Sequence, residues 1–333
     1  MKILLTGASG YLGSLLIDSW LNDDRVEKII AVDLKDPKFF DPHHPKVHFI
    51  KNNLADLDLE KVLAEFAPID AVLHAAYLIR TPYFAADRKS QIRSNFVGAE
   101  NAFKFALRNN VGKLIHFSTV AVYGALPKNN LLRPFTEKDD LNEESIAYGR
   151  DKKMIEKDLI ELVQKYRSPA EVAVLRIGSV TGPFLTYRAQ KRGLQSFFRG
   201  FLPFIPITSS ESVRQFVHED DIVSAINFCL FTNFGEKFLT FNLAPQGYLT
   251  FKEIAKTLGK RTLPIPQFLT SLVFWCLWHL SLGHVPTPPG VISSYSYPIL
   301  VDGSKICSYG FRYEFNCLDS FLGLKGKFKN LKS

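Results

Sequence analysis

The chain lacks the cysteine pattern of a disulfide-rich or zinc-binding protein. Only four cysteines occur among its 333 residues, and no two of them form a CxxC pair. Two of the four lie in strongly apolar stretches of sequence, which is typical of buried free thiols in a reducing compartment. We therefore expect free thiols and no metal site. The four are Cys229, Cys276, Cys307 and Cys317.

Neither a signal peptide nor a membrane-spanning helix is expected. The apolar run after Met1 breaks at Thr6-Gly7, too early for a signal sequence, so we expect a first buried strand and a cytoplasmic location. The segment Phe268–Gly283 is apolar nearly all round, but as a helix it would be about 24 Å long against a hydrocarbon core of about 30 Å. We expect it to be a buried or cleft-covering helix. A peripheral membrane contact and an oligomer contact are the alternatives.

Clustered basic residues of the kind that bind nucleic acid are also missing. The net charge is +8, but the lysines and arginines are scattered, apart from a short lysine run after residue 324. We interpret that run as a solvated C-terminal tail. A scattered excess of positive charge favours an anionic ligand or an anionic membrane surface, and we expect no nucleic-acid partner.

What the chain does have is an alternation of strand-like and helical patterns. Apolar residues make up 46% and charged residues 22%, as in ordinary globular proteins. Near-continuous apolar runs alternate with amphipathic stretches, which predicts an α/β fold with a Rossmann-type doubly wound parallel sheet. The predicted strands are Lys2–Thr6, Lys28–Asp33, Val47–Asn52, Asp70–Ala75, Lys113–Ser118, Glu171–Ile177 and Arg214–His218. The predicted helices are Tyr11–Leu21, Asp87–Arg108, Ser145–Tyr166, Glu219–Phe231 and Thr250–Leu258.

Prolines interrupt this pattern in the last part of the chain. We expect residues 1–182 to form a nucleotide-binding domain and residues 183–333 mainly a smaller C-terminal substrate lobe, with about 212–245 returning to the core. In that lobe Thr250 and Glu253 have the spacing of a helix capping box.

A glycine-rich turn follows the first predicted strand and opens the first predicted helix. Gly7 permits a tight turn, Gly10 allows close approach of a pyrophosphate, and Gly13 allows close packing of the helix. Asp33 ends the next strand, twenty residues after Gly13. A carboxylate there accepts from the ribose hydroxyls and repels a 2′-phosphate, so NAD is favoured, with NADP kept as the alternative by the nearby Lys35.

Tyr148 and Lys152 have the spacing that places two side chains on one helix face. An ammonium beside a phenol favours the phenolate, so we expect Lys152 to lower the pKa of Tyr148. Tyr148 would then exchange a proton with a substrate hydroxyl near neutral pH.

With these segments the chain resembles the extended short-chain dehydrogenases/reductases of the NAD-dependent epimerase/dehydratase group, over roughly residues 1–260. His74-Ala75-Ala76 is similar to the turn beside the cofactor, and the segment ending Val122-Tyr123-Gly124 is similar to the one that carries the catalytic hydroxyl. The resemblance implies that Thr119, Tyr148 and Lys152 are catalytic. It implies a cofactor site of Gly7, Ser9, Gly10, Tyr11, Leu12, Gly13, Asp33, Asn53, Leu54, Ala75, Ala76, Asn95, Ser118, Tyr148 and Lys152.

Departures from the family pattern reduce the number of reactions that the chain is expected to catalyse. Dehydratases of the group carry an Asp-Glu pair where this chain has Val120 and Ala121, which disfavours 4,6-dehydration. Nucleotide-sugar epimerases usually have an Asn where this chain has Ser179. The usual adenine-contacting Asp is replaced by Asn53, whose carbonyl can still accept from the adenine amino group.

These residues lead to three functional hypotheses. The first is a nucleotide-sugar epimerase that moves a hydride at a carbinol carbon. The second is an NAD(P)-dependent dehydrogenase of a lipid-like or sterol-like alcohol or ketone, and the third is a non-catalytic NAD sensor. The resemblance also implies a homodimer. A diphosphate substrate would be bound by basic side chains. The candidate substrate residues are Ser179, Arg188, Lys191, Arg192 and Arg214.

Overall fold

The computed structural model describes residues 1–185, 194–200, 202–209 and 212–331, and a seven-stranded parallel sheet organises them. The strands are β1 (Lys2–Thr6), β2 (Lys28–Asp33), β3 (Val47–Lys51), β4 (Ala71–His74), β5 (Lys113–Thr119), β6 (Glu171–Ile177), β7 (Ser179–Thr181), β8 (Phe204–Ile207), β9 (Val213–Arg214), β10 (Phe216–His218), β11 (Phe238–Leu243), β12 (Leu249–Thr250) and β13 (Arg261–Pro264). The central sheet has the order β11-β6-β5-β4-β1-β2-β3. This is the doubly wound α/β fold expected from the sequence.

Helices cover both faces of this sheet. The helices are α1 (Tyr11–Leu21), α2 (Leu59–Leu63), α3 (Ala85–Arg108), α4 (Ala147–Tyr166), α5 (Leu194–Arg199), α6 (Glu219–Phe231), α7 (Phe251–Thr257), α8 (Gln267–Leu280), α9 (Val291–Ser296), α10 (Lys305–Ser308) and α11 (Cys317–Leu322). Side chains of α1 and α6 belong to the apolar core on one face, and those of α3 and α4 to the core on the other. The sheet is therefore the middle layer of three.

The continuous apolar runs in the sequence follow from this layering. Successive side chains of a strand point to opposite faces. Ile3 and Leu5 lie in the core beside α1 and α6, whereas Leu4 lies in the core beside α3 and α4, and all three are fully buried. A strand covered on both faces needs apolar residues at every position.

The strand order reverses between β1 and β4. From β1 the chain proceeds outward to β2 and β3, and then crosses back to β4 on the other side of β1. In such sheets a crevice opens at the carboxyl ends of the strands at the reversal point. Gly7, after β1, and Ala75, after β4, both lie at this crevice.

A smaller lobe packs beside the sheet. It contains two small sheets, β8 with β13 and β9 with β12, and an aromatic core. Its predicted capping box is confirmed, because Thr250 accepts from the backbone of Glu253 and Glu253 accepts from Thr250. The predicted strand Arg214–His218 is two strands, interrupted at Gln215. The buried amide of Gln215 donates to Pro245 O at 2.8 Å, and its oxygen accepts from Val301 N at 3.0 Å.

The expectation of a buried helix at Phe268–Gly283 is wrong. A helix does form there as α8, but only Thr270 and Trp278 are buried. Phe268 is 70% exposed and Leu280 is 86% exposed. No helix in the described part of the chain is long and apolar enough to cross a membrane.

In the C-terminal segment the side chains of Lys325, Lys327 and Lys329 are exposed, as expected of a solvated run, but the chain itself is packed against the core up to residue 331. Phe328 is buried in the core. The carboxylate of Asp220 accepts from Lys327 N at 2.7 Å, and that of Asp221 accepts from the backbone of Glu314 at 2.8 Å. These two acidic residues of the first turn of α6 therefore hold the end of the chain against the core.

All four cysteines are free thiols, as expected. Cys229 and Cys317 are buried, whereas Cys276 is half-buried and Cys307 is exposed. Within the described ranges, no group of three or more His, Cys, Asp or Glu side chains could hold a metal ion.

Candidate active site

The turn between β1 and α1 leaves no room for a side chain at Gly7 or at Gly13. Gly7 has a φ of +75°, a left-handed conformation that favours glycine, and its N–H donates to Val32 O at 2.8 Å. A Cβ on Gly7 would lie 2.6 Å from Ala76 N. A Cβ on Gly13 would lie 2.3 Å from Gly7 O. Backbone atoms make both contacts, so neither position can relax to admit a larger residue.

The first turn of α1 opens at this crevice. Gly10 is its N-cap residue, and no side chain in the described part of the chain caps it. The first N–H groups of a helix lack partners within the helix and carry a partial positive charge. The start of α1 can therefore receive an anionic group such as a diphosphate.

A cavity of about 220 Å³ extends from the turn toward the ends of β2 and β3. Six of the predicted cofactor residues line only this cavity, namely Ser9, Asp33, Asn53, Leu54, Ala76 and Asn95. The carboxylate of Asp33 accepts from Ser9 N at 3.0 Å and from Lys35 N at 2.9 Å. These contacts fix the carboxylate at the rim, and each of its oxygens retains a further lone pair.

Two of the three asparagines that line this cavity, Asn53 and Asn95, hold loops in place. The side-chain oxygen of Asn53, expected to face adenine, accepts from Ala55 N at 3.1 Å, and its amide donates to Ser94 Oγ at 3.1 Å. Asn95 accepts from Leu78 N at 2.8 Å. Their side chains thus shape the cavity, and Asn53 has only one lone pair left for a ligand.

A second cavity, of about 470 Å³, adjoins the first. Both cavities are lined by Gly7, Gly10, Ala75 and Tyr77. The second also brings together Tyr11, Leu12, Gly13, Ser118, Thr119, Tyr148, Lys152, Ser179 and Arg214. The predicted site residues of the described ranges therefore line one continuous crevice. Arg188, Lys191 and Arg192 lie outside the described residues.

Thr119 and Tyr148 meet inside this second cavity. Thr119 ends β5, and its Oγ1 accepts from Ala121 N at 3.2 Å. Tyr148 lies in the first turn of α4, and its hydroxyl is hydrogen-bonded to Thr119. Burial raises the pKa of Tyr148, and the hydrogen bond to Thr119 opposes that rise. The expected lowering of this pKa by Lys152 is therefore not found.

Lys152 explains this difference. Its Nζ donates to Phe117 O at 2.5 Å and lies 4.5 Å from the centre of the Tyr77 ring. Burial lowers the pKa of Lys152 to about 7, although the carboxylate of Glu156 opposes the change. An amine that is only partly charged near neutral pH does little to stabilise a phenolate.

A buried ion pair lies behind Lys152. Arg176 on β6 donates to Glu156 at 2.8 Å, and both side chains are buried. Ser118 also donates to Glu156, so its hydroxyl points away from the cavity. Glu156 and Arg176 were not predicted from the sequence. The available signal for Glu156 was its position one helical turn after Lys152.

Tyr77 is a third residue of the site that was not predicted from the sequence. Its hydroxyl donates to Asp151 at 3.2 Å, and Asp151 forms an ion pair with Arg88 at 2.6 Å. The Tyr77 ring meets the Tyr148 ring edge-on, with centroids 5.4 Å apart. Tyr77 therefore covers Lys152 and borders Tyr148. Its only sequence signal is its place directly after the small residues that follow β4.

A cation, Arg214, lies at the far end of the crevice. Its guanidinium donates to Val213 O at 2.6 Å and lies 5.1 Å from the Phe251 ring. Burial lowers the pKa of Arg214 to about 10, which leaves it charged at neutral pH. Val120 and Ala121 also line the cavity, so its wall has no carboxylate at the positions after Thr119.

The comparisons with known proteins agree with this architecture. Residues 3–244 match the model of the NAD dependent epimerase/dehydratase family. The uncharacterized protein y4nG of Sinorhizobium fredii is 28% identical over 282 residues, which cover 81% of this chain and 64% of that protein. The chain thus spans less than two thirds of that relative's length.

Solved structures of similar fold cover almost the whole chain. The UDP-glucose 4-epimerase of Thermotoga maritima, solved with UDP-glucose, has a TM-score of 0.72 at 20% identity and covers 97% of each chain. The UDP-glucose 4-epimerase of Thermus thermophilus, solved with NAD, has a TM-score of 0.69 at 22% identity, covering 98% of this chain and 100% of that one. At these identities the likeness shows the fold.

Proposed function

The chain belongs to the NAD-dependent epimerase/dehydratase family, and on this basis we propose that it binds NAD and epimerises a sugar nucleotide by hydride transfer at a carbinol carbon. The observation that carries the proposal is the meeting of Thr119, Tyr148 and Lys152 in a cavity that continues into the glycine turn. An acid–base group and a nucleotide-binding turn share one crevice, as the reaction requires.

Three features of the crevice fit NAD. The uncapped start of α1 can receive the pyrophosphate, and the carboxylate of Asp33 stands at the rim where a ribose would lie. The two cavities join at Gly7 and Gly10, so one extended dinucleotide can occupy both. A 2′-phosphate would meet the negative charge of Asp33, which favours NAD over NADP.

We assign general acid–base catalysis to Tyr148. Bound NAD supplies the reversible acceptance of a hydride. Tyr148 takes the proton from the substrate hydroxyl and returns it, while Thr119 hydrogen-bonds the same oxygen and orients it. Lys152 in its ammonium form stabilises the phenolate. Burial lowers the pKa of Lys152 to about 7, so the fraction of Lys152 in this form falls as the pH rises above 7.

The walls of the second cavity favour epimerisation over dehydration. Loss of water needs an acid and a base beside the sugar, and the two positions after Thr119 are Val120 and Ala121. A sugar nucleotide carries a diphosphate, and Arg214 is a cation at the opposite end of the crevice from Asp33. In an epimerisation NAD is regenerated in each cycle, so it should remain bound.

A second candidate is an NAD-dependent dehydrogenase of a lipid-like alcohol or ketone. It is favoured by the apolar side chains around the catalytic hydroxyls, which include Ile79, Val120 and Ile299. Such an enzyme must exchange its cofactor after each turnover. The two candidates therefore differ in whether added NAD is consumed.

The test is to incubate the purified protein with UDP-hexoses and dTDP-hexoses, without added NAD, and to follow the sugar protons by NMR. The appearance of the C4 epimer supports the proposal. Turnover only of an apolar alcohol, with stoichiometric reduction of added NAD, would support the second candidate. Turnover of neither class, in protein loaded with NAD, would contradict both.

A further inference from the structure

The helix α8 and the turn after it present an apolar surface to solvent. Nine of their side chains are at least 36% exposed, namely Phe268, Leu269, Leu272, Val273, Trp275, Leu277, Leu280, Leu282 and Val285. Scattered apolar residues on a protein surface are ordinary, but so many in one segment mark an interaction site. We refer to these nine side chains as the α8 surface.

The residues that precede and follow α8 along the chain carry charge of one sign. Residues 254–301 contain no aspartate and no glutamate, whereas Lys256, Lys260 and Arg261 precede the helix. Lys256 and Arg261 are exposed. An apolar helix whose flanking sequence carries only basic charge is complementary to a surface that is apolar inside and negative outside, which is the structure of an anionic lipid bilayer.

The length of α8 limits how it can meet a bilayer. Its 14 residues make a helix of about 21 Å, shorter than the hydrocarbon core of about 30 Å. A helix of this kind lies in the plane of the interface, with its apolar side chains among the lipid acyl chains.

The helix is also attached to both sides of the active-site crevice. On one side Arg80 donates to Gly283 O at 2.8 Å, and the neighbouring Ile79 lines the crevice. On the other side Tyr297, which lines the crevice, donates to Gln267 at 3.0 Å. Whatever holds α8 therefore also holds the two segments that border the crevice.

We propose that the α8 surface docks the protein on an anionic lipid bilayer and thereby places the active-site crevice next to the membrane surface. A second copy of the chain fits less well. In a symmetric contact between two α8 surfaces, residues 254–301 of each copy would bring basic residues and no acidic residue to the other copy. The inference goes beyond the proposed function, which requires no membrane.

Tryptophan fluorescence offers a direct test. Trp20 and Trp278 are buried, whereas Trp275, on the α8 surface, is 59% exposed. Vesicles containing phosphatidylglycerol should shift the emission of the full-length protein to the blue, and the protein should sediment with them. Vesicles of phosphatidylcholine alone should bind it at least about fivefold more weakly. The variant Trp275→Phe should sediment normally with no blue shift.

A matched pair of variants tests the surface itself. Leu280→Asp changes a side chain that is 86% exposed on α8, and Leu132→Asp changes one that is 96% exposed on a loop outside the α8 surface. We expect Leu280→Asp to weaken vesicle binding at least about tenfold and Leu132→Asp to leave it unchanged. Equal binding by both variants, or no vesicle binding by the native chain, would overturn the proposal.

Two further readouts separate this proposal from its rivals. Analytical ultracentrifugation that shows a dimer dissociated by Leu280→Asp, with no vesicle binding, would assign the surface to a second copy and overturn the membrane proposal. The NAD content of Leu280→Asp should equal that of the native chain. Because the variant keeps its NAD, loss of vesicle binding can be told apart from failure of the proposed function.

Discussion

The acid–base pair has a different charge state from the one its spacing alone suggests. Tyr148 has a raised pKa and Lys152 a pKa of about 7, because burial disfavours the phenolate and the ammonium alike. The spacing of the two side chains was predictable from sequence. Their desolvation was not, because it depends on Tyr77 and Phe117, which arrive from other elements.

Replacement of the proposed acid–base tests its role. We expect Tyr148→Phe to lower kcat for the epimerisation by at least about a hundredfold, because general acid–base catalysis contributes about 10²–10⁴. Binding of NAD, measured by calorimetry, should change less than about threefold. Tyr248→Phe, at an exposed position outside both cavities, is the matched control. Turnover that survives in Tyr148→Phe would show that another group carries the proton.

The charge of Asp33 should set the preference for NAD. We expect Asp33→Asn to weaken NAD binding about tenfold, since hydrogen bonds to a charged group contribute about 1.5–3 kcal/mol. Binding of NADP should at the same time become stronger, because the negative charge facing its 2′-phosphate is gone. Calorimetry with both nucleotides measures the change.

Asp36→Asn controls for net charge alone. Asp36 is 71% exposed and forms an ion pair with Lys51. An equal shift in NADP affinity in Asp33→Asn and Asp36→Asn would show that Asp33 has no specific role.

At the scale of single elements, α4 links the proposed catalytic side chains to the sheet. Lys152 faces the crevice, and Glu156, one turn later, forms the buried ion pair with Arg176 on β6. Hydrophobic periodicity predicted this helix nearly to the residue. It could not reveal the ion pair, because Arg176 lies in a different segment whose apolar pattern indicates only a strand.

Removal of one partner from this pair should destabilise the whole domain. We expect Glu156→Gln to lower the free energy of unfolding by roughly 3 kcal/mol, because Arg176 would remain buried without a countercharge. Glu161→Gln removes an exposed partner of Lys157 on the same helix, and it should cost less than about 0.5 kcal/mol. Urea unfolding of both variants measures the difference. Similar values for the two would contradict the assigned role of the buried pair.

The segment around α8 shows where a sequence pattern misleads. An apolar stretch of this length is usually covered by the rest of the protein, and periodicity cannot distinguish burial by protein from burial by lipid. The chain around it supplies too few apolar partners, so the structure leaves most of the helix exposed.

At the scale of the whole molecule, two histidines lie deep in the sheet. His74 on β4 and His116 on β5 are paired in register and stack with centroids 5.5 Å apart. Thr6 hydrogen-bonds His74 at 2.8 Å, whereas His116 has no hydrogen-bond partner among the described residues. Burial lowers the pKa of His74 to about 3 and that of His116 well below its usual value, and the charge of Lys152 adds to both effects.

These histidines should make the fold sensitive to acid. Below pH 6.5 the unfolded chain takes up protons that these two histidines refuse in the folded chain, so the stability they contribute is lost progressively as the pH falls from about 6.5 toward 3. Lys152, whose pKa in the folded chain is about 7, takes up its proton in the folded chain over the same range and opposes this loss. With its pKa near 3, His74 should account for about 2 kcal/mol of this loss between pH 7.5 and pH 5.

We expect His116→Leu to reduce the total loss over that pH range, as measured by urea unfolding at both pH values, because it removes a group that only the unfolded chain protonates. His43→Leu is the control, because His43 is exposed and its ring contacts water in both the folded and the unfolded chain. A pH dependence that His116→Leu leaves unchanged would contradict this account.

The sequence predicted the Rossmann-type sheet, because buried parallel strands and amphipathic helices leave strong periodic signals. The glycine turn and the Tyr148–Lys152 spacing were also visible, since both are local along the chain. Tyr77, Arg176 and the orientation of Ser118 were not predicted, because each depends on contacts between distant segments. The basic residues at 188–192 remain candidates from sequence alone.

The central claim is that the crevice between Gly7 and Tyr148 holds NAD. The most direct test is to denature the purified protein, filter it, and identify the released nucleotide by mass and absorbance. We predict close to one NAD per chain, as expected of an epimerase that regenerates its cofactor. Protein that releases no dinucleotide and then fails to bind added NAD or NADP in calorimetry would contradict the account.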